Sequence, residues 1–265
     1  MPALDLLIRG GRVVDGTGSP GRTADVAIRD GVVTEIGRVD GSATRVIDAD
    51  GLLVTPGFVD IHTHYDAQLH WDPTASPASW HGVTTLLTGN CGFTLAPAKP
   101  EDLEWLLLML SRVEGMSAEA LAAGVTFTGG SLGDFLAGLD GRVGVNVAAN
   151  VGHCAVRRFV MGDDASERTA TPDETAAMQE LVRAAMHDGA IGFTSSQLEL
   201  HVAHDGRGVP SNHANADELV ALASVLAEFG RGSIEFIPRS FLTGYDDADR
   251  ELEGPPAGPG RALAG

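Results

Sequence analysis

Basic residues are scarce in this chain. Lysine and arginine number 18 against 36 aspartates and glutamates, a formal net charge of −18. A surface so acidic repels phosphate backbones and anionic lipid, so nucleic-acid and membrane-surface binding are excluded as expected functions. Cysteine is nearly missing: Cys91 and Cys154 are the two present. Two do not make a disulfide framework, and the chain reads as a cytoplasmic protein with reduced thiols. Long apolar runs are lacking too. The longest in a helical context is WLLLML at 105–110, far short of the roughly 20 residues of a membrane span. Asp5 and Arg9 interrupt the short apolar start, which therefore does not read as a signal peptide. No repeat of fixed short period occurs, and no strand is followed by a Gly-x-Gly-x-x-Gly turn for a dinucleotide.

Apolar residues, at 43%, are plentiful enough for a sizeable core, and glycine is abundant at 34 of 265. That glycine content suits tight turns between short elements. Residues 1–55 read as a small β-structure. Strands are expected at 4–9 and 12–15 around Gly10-Gly11, at 25–29 and 32–36 around Asp30-Gly31, and at 44–48 and 52–55. Asp-Gly is a type I′ hairpin signal. After Pro56-Gly57 the rhythm becomes strand, loop, helix. Strands are expected at 58–64, 82–88, 143–151, 190–195 and 233–237. Helices are expected at 101–113, 131–139, 171–188 and 215–229. Thr171, Pro172 and Glu174 form a helix-opening signal, and Gly189 a stop. Alternation of this kind predicts α/β architecture with a parallel sheet, either a barrel or a doubly wound fold. About five βα units fit where a full barrel takes eight. The segment 253–265, nearly all Gly, Pro, Ala and Arg, is expected to be a disordered tail. Its composition is what GC-rich DNA encodes out of frame, so a truncated reading frame is one expectation and a natural tail the other.

The chemistry concentrates at Asp60-Ile61-His62-Thr63-His64. Along a strand, side chains alternate faces, which puts Asp60, His62 and His64 on one side. Two imidazoles so spaced at the C-terminal end of a strand suit a zinc ion. The alternative is a pair of incidental histidines. Cys91 lies between glycines after the second strand and reads either as a thiolate ligand or as a small core residue. Asp66 either orients a ligand histidine or is a solvated loop acid. His153, after the third strand, is either a pocket contact or a satisfied structural histidine. His201, His204 and His213 read either as lining a pocket mouth or, preferably, as flexible surface residues, and Trp71, Trp80 and His81 as packing near the first loop.

The runs VTPGFVDIHTHYDAQLHWDP and SWHGVTTLLTGNCGF resemble the amidohydrolase superfamily, and more closely its N-acyl-D-amino-acid deacylase (D-aminoacylase-like) branch. LLIRGGRVVDGTGSPGRTADVAIRDGVVTEIG is similar to that family's N-terminal β-sandwich segment. ANVGHCAVRRFVMG and DGAIGFTSSQLELH are similar to its middle, so the resemblance runs over about residues 4–240. It implies a metal-dependent hydrolase on an incomplete TIM-type (β/α) barrel at 56–252, preceded by a β-sandwich segment at 1–55. His62 and His64 match the first-strand metal ligands, Cys91 matches the zinc-binding cysteine, and His153 matches a Gly-His pair. The implied reaction is attack of metal-activated water on the amide of an N-acyl-D-amino acid, with one or two zinc ions. The family's later histidines and its essential aspartate have no counterpart here, so no catalytic residue is assigned. The fifth strand, SIEFIPR, carries no histidine, and the family's Tyr-Pro-Gly-type loop is missing after Phe193-Thr194-Ser195. The second reading is therefore a catalytically inactive fragment with an incomplete metal site. An open sheet edge would also favour self-association.

Overall fold

The computed structural model describes residues 4–242. The expected tail at 253–265 lies outside the described residues. The chain divides into two units, one running to Phe58 and one starting at Val59.

The first unit is a five-stranded sheet. Its strands are β1 (Leu4–Val13), β2 (Arg22–Arg29), β3 (Val32–Gly37), β4 (Ala43–Asp48) and β5 (Leu53–Val54). The order is β3-β2-β1-β4, with β5 also on β1. β1 pairs antiparallel with β2 and parallel with β4 and β5. Asp30 and Gly31, at φ 51° and 74°, make the tight turn between β2 and β3 that Asp-Gly favours. Gly10-Gly11 is not a turn, contrary to expectation. β1 runs through it with a register shift between Ile8 and Gly11. The Gly10 N–H, left out of the ladder there, donates to the Asp25 carboxylate at 2.8 Å. The pair is a bulge inside one strand. Leu4, Leu7, Ala27 and Val39 form one buried cluster, and Val13, Ala24 and Val26 a second.

The second unit alternates strands and helices. It contains β6 (Phe58–Asp60), β7 (Val83–Thr88), α1 (Leu103–Glu114), α2 (Ala118–Gly124), α3 (Leu132–Leu139), β8 (Asn146–Ala149), β9 (Val151–Gly152), α4 (His153–Met161), α5 (Pro172–Asp188), β10 (Gly192–Ser196), α6 (Ala216–Ser224), α7 (Leu226–Phe229) and β11 (Ser233–Ile237). The sheets are β6-β7-β8 and β9-β10-β11. β7 is parallel to β8, and β10 is parallel to both β9 and β11. The run expected as one strand at 143–151 is split at Asn150. The Asn150 N–H donates to Thr88 O and the Ile191 N–H to Ala149 O, each at 3.0 Å, so the two sheets continue one another as an arc.

The helices follow their local signals. Thr171 and Glu174 cap α5 reciprocally, Pro172 opens it and Gly189 ends it. Ser131 and Asp134 do the same for α3, and the Asn215 side chain caps α6. Two helices carry weaker signals. α2 is a short helix of about two turns capped by Ser117. α4 follows Gly152 without any side-chain cap. One apolar core, including Leu86, Phe93, Met109, Phe135, Val182 and Phe193, fills the space between arc and helices. Of the residues expected to pack near the first loop, Trp71 is 42% and Trp80 77% exposed, and the Trp71 ring lies against Gly124 of α2.

Candidate metal centre

β6 is shorter than the expected strand and stops at Asp60. The cause is local: the Asp60 carboxylate accepts the His62 N–H at 3.2 Å, a side-chain turn that competes with the ladder. Thr63 then fixes the segment to β7, donating through its N–H and its hydroxyl to Leu87 O at 3.2 and 2.8 Å. Thr63 is buried against β7 and the two histidines flank it in sequence. Both histidines reach Cys91 from a segment that is not strand.

β7 runs into a tight 3-10 turn over Asn90–Gly92. The Asn90 amide donates to Thr63 O and Leu87 O, both at 2.9 Å. The Gly92 N–H donates to the Thr194 hydroxyl at 3.0 Å, and that hydroxyl donates to Gly89 O at 2.5 Å. Gly89 has φ 78°, and a Cβ there would meet Asn150 O and the Thr94 methyl at 2.7 Å. Only glycine fits that corner. Cys91 itself sits in the left-handed region, at φ 56° and ψ 15°. For a residue with a Cβ this costs about 1–2 kcal/mol, which the surrounding hydrogen bonds offset. Asp66 is 2% exposed, not a solvated acid, and accepts the Gly89 N–H at 3.2 Å.

Three donors converge as a result. Cys91 Sγ lies 3.2 Å from His62 Nε2 and 3.6 Å from His64 Nε2. The three ligand atoms all fall within 4.8 Å of one another. A tetrahedral zinc, with bonds of about 2.3 Å to sulfur and 2.0–2.1 Å to nitrogen, would hold sulfur and nitrogen about 3.5 Å apart. The donor set and its spacing fit such an ion. Burial, with the charges of His62 and His201 nearby, pushes the His64 pKa down to about 4. His64 is thus the neutral imidazole that a metal requires. Its ring lies 6.2 Å from that of Phe93, which stacks edge-on with His201 at 5.1 Å. His201 is not a flexible surface residue, for its Nδ1 meets the Ser196 hydroxyl at 2.9 Å. His204 does stay exposed.

His153 lies outside this group of donors. It starts α4 with no surface exposure. Its Nδ1 meets the Ser195 hydroxyl and its Nε2 the Glu218 carboxylate, both at 2.8 Å. Arg157 forks onto the same carboxylate at 2.5 Å. Ser195, His153 and Glu218 repeat the order of a hydrolytic relay, but Ser195 is fully buried. The cluster joins α4, β10 and α6.

Sequence reasoning missed Glu235. It lies in the middle of β11, and its Oε2 accepts the Cys91 N–H at 2.6 Å. Its Oε1 is 3.8 Å from His62 Nδ1. Burial raises its pKa, while the Cys91 N–H and His62 pull the other way. The available signal was a lone carboxylate within the apolar run Ser-Ile-Glu-Phe-Ile, since acids seldom enter such strands unpaired.

A model of the amidohydrolase family matches residues 45–253. D-aminoacylase from Alcaligenes xylosoxydans xylosoxydans is 35% identical over 228 residues, which cover 85% of this chain and 43% of that protein. A crystal structure of D-aminoacylase superposes with a TM-score of 0.69 at 34% identity, covering 87% of this chain and 44% of its own. The N-acyl-D-glutamate deacylase of Bordetella bronchiseptica, solved with zinc and a phosphonate mimic of the tetrahedral intermediate, gives 0.68 at 34%, covering 88% and 45%. The parallel arc and its helices share the TIM-type fold of these proteins, as the sequence resemblance implied. The chain spans about two fifths of the length of the curated relatives it matches.

Proposed function

Because the chain belongs to the amidohydrolase family, we propose that it holds zinc at His62, His64 and Cys91 and hydrolyses the amide bond of an N-acyl-D-amino acid. One observation carries the reading: two imidazole nitrogens and a thiol lie at tetrahedral-ligand spacing beyond the C-terminal ends of adjacent strands. That is the end of a (β/α) fold where active sites are built. When bound, zinc supplies Lewis acidity toward a scissile carbonyl and toward water. The protein's own groups prepare the site. Burial keeps His64 neutral. Asn90, Thr194 and Gly89 hold the turn that presents Cys91. Asp66 secures the entry to that turn. Phe93 screens one side of His64 from water. Both cysteines are free thiols, which supports a reducing, cytoplasmic setting. Among the described residues no helix is long and apolar enough to cross a membrane.

The test is release of free amino acid from paired N-acetyl-D- and N-acetyl-L-amino acids by the purified chain, with and without added zinc. The expected result is zinc-dependent release from the D series. His62→Ala and Cys91→Ala should each lower it by more than about 100-fold, because even partners outside the ligand shell are worth 10–100-fold. Failure to bind zinc, or equal release from both series, contradicts the proposal.

A further inference from the structure

We propose that Glu235 is a positioning residue for the metal centre, one carboxylate that orients His62 and fixes the Cys91 turn at once. This inference rests on the zinc reading above. Three observations lead to it. The first is placement. Glu235 is the register partner of Thr194 on the neighbouring strand. Paired residues in adjacent strands project to the same side. Thr194 grips the turn through the Gly92 N–H and Gly89 O, and Glu235 grips it through the N–H of Cys91 between them. β10 and β11 thus hold the turn from beneath, with the cysteine at its left-handed apex.

The second is direction. His62 points Nε2 at the Cys91 sulfur, while its Nδ1 stands 3.8 Å from Glu235 Oε1, within ion-pair reach and a few tenths of an ångström beyond a hydrogen bond. A ligand histidine needs its free nitrogen on the metal and its N–H on the other side satisfied. A carboxylate in that position fixes the tautomer and raises the basicity of the ligand. The third is cost. A half-buried carboxylate in an apolar strand is unfavourable without partners. Its partners are the backbone N–H and the side chain of Cys91 and, at 3.8 Å, the ring of His62. Glu235 is not one of the three mutually close donors, and its contacts are with two of them, Cys91 and His62, which is where a positioning carboxylate would act.

The experiment is zinc affinity by competition with a chromophoric chelator, for the 265-residue chain and for Glu235→Gln, with the tautomer of His62 read by long-range proton–nitrogen NMR. Glutamine keeps the shape and an acceptor for the Cys91 N–H but turns its amide toward His62. The variant should bind zinc about 10–100-fold more weakly. The metal-free variant should melt as the parent does, and the His62 Nδ1–H signal should shift or vanish. In the zinc-loaded parent, His62 should be bound through Nε2 with its proton on Nδ1. This reading needs no variant to fold. Unchanged affinity in Glu235→Gln, or His62 bound through Nδ1, overturns the role of Glu235 and leaves the zinc site standing. A parent chain that binds no zinc overturns both.

Discussion

Cys91 is the residue on which the site turns, and its backbone is the most unusual feature near it. Three flanking groups, Asn90, Thr194 and Glu235, convert an unfavourable conformation into a fixed one. His64 offers a measurable consequence of the same packing. Its pKa falls from 6.5 to about 4 in the folded chain because burial disfavours the charged ring. The unfolded chain takes up that proton near pH 6.5 and the folded chain does not. The associated stability is therefore fully present above about pH 6.5 and is lost as pH falls toward 4. In the metal-free protein, NMR should show His64 titrating near 4, and denaturant unfolding should show stability declining over that window. Replacing His64 by glutamine should flatten the decline. Titration of His64 near 6.5 would show that the ring is not buried as described.

Among the elements, α5 shows how local chemistry sets a boundary. The Thr171 hydroxyl accepts the Glu174 N–H at 3.3 Å, and the Glu174 carboxylate accepts the Thr171 N–H at 2.7 Å. Thr171→Ala should lower stability by about 1 kcal/mol, measured by urea unfolding, and an unchanged midpoint would show that the cap contributes nothing. Such signals made much of the fold legible in sequence. The Asp30-Gly31 hairpin, the caps of α3, α5 and α6, and β7 and β11 are all written within a few residues. What escaped depends on distant partners. Gly10-Gly11 looks like a turn until Asp25 supplies the hydrogen bond that lets β1 pass through it. α4 has no polar cap to announce it, and its start is set by His153 docking on Ser195 and Glu218. The split at Asn150 follows from bonds to Thr88 and Ile191. The site divides in the same way. His62, His64 and Cys91 were legible as candidates from spacing, glycine context and resemblance. Glu235 was not, since its approach to Cys91 joins residues 144 apart in sequence.

At the scale of the whole molecule, the site ties the arc together. Its donors lie past β6 and β7, and the carboxylate behind them stands on β11, so both outer strands and the second strand of the arc meet at one point. The described residues of the second unit thus carry a complete three-donor cluster, although the chain spans about two fifths of its curated relatives. The central claim is that these three side chains bind one ion together, sulfur included. X-ray absorption at the zinc edge of the zinc-loaded chain tests it most directly. One sulfur neighbour at about 2.3 Å and at least two imidazole nitrogens at about 2.0–2.1 Å are expected, with the sulfur lost in Cys91→Ser. Zinc surrounded by nitrogen and oxygen alone, or a sulfur that persists in Cys91→Ser, would contradict it.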